Sequence, residues 1–208
     1  MTLTVRTTVI VALAALACGA PQAPGSVAPL AAQVADTSAM VPAGFGTLRF
    51  DDVTIQLRTG PLLIKVTPLD EGILRLLAPD MYQRYRSIAE SKRAEATRAA
   101  GVAQPEMFVV SFFSYEPDVE YQPEDVQISH RGRQLPSVAI LPVTPSFGRQ
   151  RLRQQDNQSA VYVFSDPIDY KQNITLRYGT MQSDAWTSIL QKLEVERSKV
   201  RAKAGSGD

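Results

Sequence analysis

One cysteine, Cys18, and one histidine, His130, are all that the chain of 208 residues carries of these two types. A single thiol excludes a disulfide-stapled fold even in an oxidising compartment, so the body must stand on its apolar core. One histidine and one N-terminal cysteine cannot assemble a zinc site, and no metal site or cofactor is expected. No G-x-S-x-G elbow and no phosphate-cradling glycine loop occur. An excess of charge is missing too: Lys plus Arg number 22 against 21 for Asp plus Glu, a balance that argues against a nucleic-acid partner. The long apolar run of a membrane span is absent, since the stretch Thr7 to Ala17 falls short of the roughly 20 residues needed. No internal repeat recurs at a fixed period.

What the short run does resemble is an export signal. One positive charge, Arg6, precedes it and the small residues Ala15 and Ala17 close it, in the n-region, h-region and A-x-A order. Ala15-Leu16-Ala17-Cys18 resembles the lipobox of bacterial lipoproteins, with Leu16 one place nearer the cysteine than the leucine that family prefers. The resemblance implies cleavage after Ala17, a diacylglycerol on Cys18, and attachment to a membrane through that lipid. Gly19, standing where an Asp would retain such a protein at the inner membrane, implies the outer membrane in a diderm cell. The chain is therefore expected to be exported and anchored in the cell envelope. Residues 1–17 are the signal peptide in this reading, and 18–44, rich in Ala and Pro with no large aromatic, form a flexible tether. Such a tether has a root-mean-square reach of roughly 25 to 30 Å.

From Phe45 the pattern changes. Leu48 and Phe50, then Val53, Ile55 and Leu57, alternate with polar neighbours as in half-buried strands, and Leu62, Ile64 and Val66 follow after Thr59-Gly60-Pro61. The apolar run Ile73 to Leu77 continues this meander. After Pro79 the period becomes helical: Met81, Tyr85, Ile88 and Lys92 share one face, giving a helix over about 80–100 that ends near Gly101. Its second half, from Ala94, has little to bury and is expected to fray. Met107 to Tyr115 is apolar on both faces and reads as a central strand. Strands are also expected over Val126 to His130, within the Pro-punctuated Leu135 to Pro145, and over Ala160 to Phe164 and Ile174 to Tyr178. Ser183 is placed to cap a last helix over 183–203, with Trp186, Ile189, Leu190, Leu193 and Val200 as its apolar stripe and 204–208 as a loose tail.

These elements predict a mainly β protein: an antiparallel β-sandwich over 45–182 with an inserted helix, followed by the C-terminal helix. Strand count alone makes an immunoglobulin-like topology the expected sandwich, in the absence of its Cys-Trp-Cys signature.

Candidates for chemistry are few. His130 continues the inward alternation of its strand, so it reads as a satisfied core or edge histidine before it reads as a catalytic base. Asn157-Gln158-Ser159 and Asn173-Ile174-Thr175 match the glycosylation sequon, which would carry no meaning in the bacterial chain that the lipobox resemblance implies. Charge is polarised locally. Glu116, Asp118, Glu120, Glu124 and Asp125 form a run without a base, and Arg131, Arg133, Arg149, Arg151 and Arg153 a run without an acid. The acids lack the order of a calcium loop and are read as a solvated face. In the segment Phe147 to Gln155 the arginines alternate beside Phe147 and Leu152, the mixture of planar cations and apolar area found at contact surfaces. Phe147, Arg149, Arg151 and Arg153 are accordingly the candidate contacts for an envelope protein or an anionic glycan or lipid. A non-catalytic binding or structural module of the envelope is the expected function. The competing expectation is an exported hydrolase acting on glycan or peptide through a carboxylate pair such as Glu116 with Asp118. A cluster of Asp, Glu and His facing one concave pocket would favour the hydrolase.

Overall fold

The computed structural model describes residues 41–205. The export signal, Cys18, the tether as far as residue 40 and the tail 206–208 lie outside the described residues. Among the described residues, eleven strands form three antiparallel sheets, and three α-helices accompany them. No described helix is long and apolar enough to cross a membrane.

The packed body starts earlier than Phe45. Val41 is already buried, and its carbonyl accepts a hydrogen bond from Arg75 at 3.2 Å. After a 3-10 turn at Phe50–Asp52, strands β1 (Ile55–Thr59) and β2 (Leu62–Pro68) make a hairpin with Leu57 opposite Ile64. The apolar run that follows is not a strand. Asp70 caps a single helical turn, α1 (Glu71–Leu74), by accepting from the Ile73 N–H at 3.0 Å, and Leu77 then bridges Leu48. Ile73, Leu74, Leu76 and Leu77 are all buried, and a short run apolar on every side carries no period that separates strand from buried turn.

Helix α2 (Pro79–Ala100) starts on its proline and ends at Gly101, whose φ of 68° lets its N–H reach the Thr97 carbonyl at 3.0 Å. The second half does not fray: Ala96 is fully buried, because alanine allows close approach where a larger side chain would hold the helix off. Tyr82, Tyr85 and Ala89 complete the buried line, while Met81 and Ile88 stay half-buried beside it.

Strand β3 (Glu106–Ser114) is the centre of a five-stranded sheet of order β1-β2-β3-β9-β7, with β7 at Ala139–Pro142 and β9 at Asn157–Phe164. Val66, Val110 and Ala160 stand in one row across it. The second sheet has the order β11-β10-β5-β6, from β5 (Val126–His130), β6 (Arg133–Leu135), β10 (Ile174–Tyr178) and β11 (Met181–Ser183). The two inner faces meet in a core of aromatic rings. Phe112 stacks on Tyr121 with centroids 4.3 Å apart and turns an edge to Tyr178 of the opposite sheet. The other face of the five-stranded sheet lies under α2.

This is an antiparallel β-sandwich, but its strand order is not that of an immunoglobulin domain. There the third strand crosses to the opposite sheet, whereas here α1 and α2 return the chain so that β3 pairs with β2, Ile64 opposite Phe112. Helix α3 (Trp186–Gly205) buries Trp186, Ile189, Leu193 and Val200 of its predicted stripe, while Leu190 is half-buried. Ser183 does not cap it. That residue closes β11, and the Asp184 carbonyl accepts from Thr187 at 3.4 Å instead.

Candidate anion-binding site

The arginine-rich segment becomes a two-residue strand, β8 (Arg151–Leu152), paired with β4 (Val119–Glu120) so that Leu152 faces Val119. The ribbon sits at one end of the sandwich. Leu152 is fully buried, and strand alternation then sends Arg151 and Arg153 to the opposite side. Arg149, Arg151 and Arg153 are all exposed, and together they line a concavity of about 600 Å³ with Asp118, Asp156 and the glutamines of the loop.

Buried polar groups hold this ribbon from below. Gln158, 1% exposed, accepts from the Tyr121 hydroxyl at 2.6 Å and donates to the Arg151 carbonyl at 3.0 Å and to Asp156 Oδ2 at 3.2 Å. Both amide protons and the amide oxygen are thus engaged, which fixes its orientation and with it the backbone of β8. Burial pushes the Tyr121 phenol up, so it remains a donor at neutral pH. Asp118, Gln150 and Gln155 adopt φ of 57°, 55° and 58°, and of the described non-glycine residues only Arg131 joins them in the left-handed region. Each such residue costs on the order of 1 kcal/mol, and strain of this kind gathers at ligand clamps.

The cations are unevenly paired. Arg151 Nε lies 3.5 Å from Asp118 Oδ1, an exposed contact worth little. Arg149 and Arg153 have no carboxylate within ion-pair distance among the described residues. Arg131 and Arg133 pair elsewhere, with Asp169 at 2.9 Å and Asp166 at 3.0 Å. Phe147 does not line the concavity. Its ring is half-buried against Phe112 and Tyr121, at centroid distances of 6.3 and 6.2 Å, so it belongs to the edge of the core.

All five acids from Glu116 to Asp125 are exposed, and among the described residues no three His, Cys, Asp or Glu side chains gather as metal ligands do. The two acids in the concavity are engaged, Asp118 by Arg151 and Asp156 by Gln158. His130 is buried at 7% exposure, as its alternation predicts, but it is not satisfied: its Nε2 has no hydrogen-bond partner among the described residues.

Two supporting residues escape a reading by charge and period. Gln158 sits at the start of an apolar strand and Tyr121 between two polar runs; a polar amide opening an otherwise buried strand is the available signal. A second concavity, between α2 and the sheet, draws on Lys65 and Ser111, each a polar interruption in an apolar strand.

Neither protein-family models, nor curated proteins, nor solved structures match the chain.

Proposed function

We propose that the chain is an exported protein of the cell envelope, anchored through a lipid on Cys18, whose sandwich is a non-catalytic binding module. Its recognition surface is the concavity lined by Arg149, Arg151 and Arg153, and its partner is an envelope protein, glycan or lipid presenting carboxylate or phosphate. The observation that carries the reading is the convergence of three arginines on one concavity, two of them without an ion pair among the described residues, above a strand locked by Leu152 and Gln158. Planar donors carried on a backbone that is held from below suit bidentate recognition of such anions. The lipobox resemblance supports the envelope location, since two acyl chains hold a protein at a membrane where one does so only marginally.

Two substitutions test the proposal. Cys18→Ser should move the protein from the membrane fraction to the soluble exported fraction; continued sedimentation with membranes sinks the anchor. Replacing Arg149, Arg151 and Arg153 together by Ser should leave the melting temperature within a few degrees, since exposed changes cost about 0.5 kcal/mol or less each. It should also abolish capture of the partner from detergent-solubilised envelope. Undiminished capture, or an unfolded domain, overturns the assignment of the site.

A further inference from the structure

We propose that a second site, the groove between α2 and the outer face of the five-stranded sheet, binds a free long-chain fatty acid anion. The groove encloses about 670 Å³, within the range of roughly 300–1,000 Å³ usual for small-molecule sites. Its walls are mostly apolar, and Lys65 and Arg84 are its only ionic lining residues. Both are cations; Lys65 is ion-paired with Asp51 at 2.9 Å, so Arg84 carries the net positive charge of the lining and calls for an anionic group on an apolar body.

The floor is organised by register. Lys65 of β2 stands opposite Ser111 of β3, and Ser111 opposite Ser159 of β9, so one polar row crosses three adjacent strands. Neither serine hydroxyl has a hydrogen-bond partner among the described residues, and Ser111 opens into the groove half-exposed. Lys65 Nζ gives one hydrogen bond to Asp51 Oδ1 at 2.9 Å. An ammonium has three donors, so two remain for a carboxylate. Arg84 makes no ion pair among the described residues.

The apolar wall is linear. Met81, Tyr85 and Ile88 follow one face of α2 over seven positions, roughly 10 Å of helix at 1.5 Å per residue. Phe50 stacks on Tyr85, with centroids 4.9 Å apart and planes 3° from parallel, so the middle of the wall is built before any ligand arrives. A trough of this form suits an extended hydrocarbon, and each methylene laid in it adds up to about fourfold in affinity.

The test titrates an intrinsically fluorescent C18 polyene carboxylate into the purified full chain, beside the matching alcohol and a C16 trimethylammonium. Saturable binding with Kd on the order of micromolar, at least about tenfold tighter for the carboxylate than for either control, is the expected result. Arg84→Glu, an exposed change that leaves the fold intact, should weaken it about tenfold. Ser111→Trp, checked for an unchanged melting transition, should abolish it. The triple arginine-to-serine variant of the other concavity should bind as tightly as the parent. No saturable binding, equal binding of alcohol or cation, indifference to Arg84→Glu, or loss in the triple variant each overturns the proposal. So does self-association that shuts the probe out, which would assign the groove to a second copy of the chain.

Discussion

Thr47 and Glu196 are 149 positions apart, and the carboxylate of the second holds both donors of the first. Glu196 Oε1 accepts from the Thr47 N–H at 2.8 Å and from its hydroxyl at 2.7 Å, although Glu196 itself is only 2% exposed on α3. The segment that enters the body is thereby tied to the helix that leaves it. Glu196→Ala should cost about 1.5–3 kcal/mol, the range for hydrogen bonds to a charged group. Glu196→Gln, which keeps an acceptor, should cost less. Urea unfolding of both variants measures the difference, and equal stability of Glu196→Ala and the parent would show the clamp to be idle.

The same segment makes a second close approach. Gly46 lies against the backbone of Leu76 and Leu77: an added Cβ would fall inside the van der Waals envelope of the Leu76 carbonyl group and 2.6 Å from the Leu77 oxygen. Backbone cannot swing aside as a side-chain tip does. Gly46→Ala should therefore destabilise by about 3 kcal/mol, the upper part of the overpacking range, read as a lowered denaturation midpoint with unchanged slope. A midpoint like the parent's would mean that the segment is held less tightly than its contacts imply.

Much of this architecture is written locally. Alternation in Val126, Ile128 and His130, the Pro79 and Gly101 ends of α2, and the exposure of Arg149, Arg151 and Arg153 follow from period and steric preference alone. What local pattern leaves undetermined depends on partners distant in sequence. Ile73 to Leu77 could enter the core as strand or turn, and the Asp70 cap decides it. Phe147 reads as contact area until Phe112 and Tyr121 are placed beside it. The Lys65–Ser111–Ser159 row exists only once three strands are in register, so no window of sequence contains it. Glu196 reads as a surface charge on its helix until Thr47 is brought against it.

Alkaline pH should unfold the protein through its tyrosines. Burial pushes the Tyr85 phenol up to about 12 and raises Tyr162 and Tyr170 as well, against about 10 for an unfolded tyrosine. The unfolded chain then loses these protons first. Stability from them is intact below pH 10 and falls as pH rises through about 12. Acid works the other way at Asp70 and Glu106, whose carboxyls burial raises, so their contribution to stability is regained as pH falls. Circular dichroism melts between pH 8 and 12 should show a steep decline above 10. Tyr85→Phe should soften it, and an identical decline in that variant would exclude Tyr85 as a source.

The arginine concavity makes its own prediction through a residue that never meets solvent. Tyr121 donates to Gln158, and Gln158 in turn holds the Arg151 carbonyl and Asp156, so the phenol acts on the exposed cations at one remove. In Tyr121→Phe the ring can still stack on Phe112, but Gln158 Oε1 is left buried without a donor. An unmet buried acceptor costs about 1–3 kcal/mol. Part of that cost is recoverable if the amide turns, which releases β8. The variant should therefore lose stability in that range and also bind the anionic partner proposed for this concavity more weakly, with the loss in dissociation rate, because loosening a preorganised surface acts there. Amide exchange at Arg151 and Leu152 should quicken in step. Loss of stability with partner affinity and exchange both unchanged would mean that the buried amide supports the core alone, and that the arginines keep their positions without it.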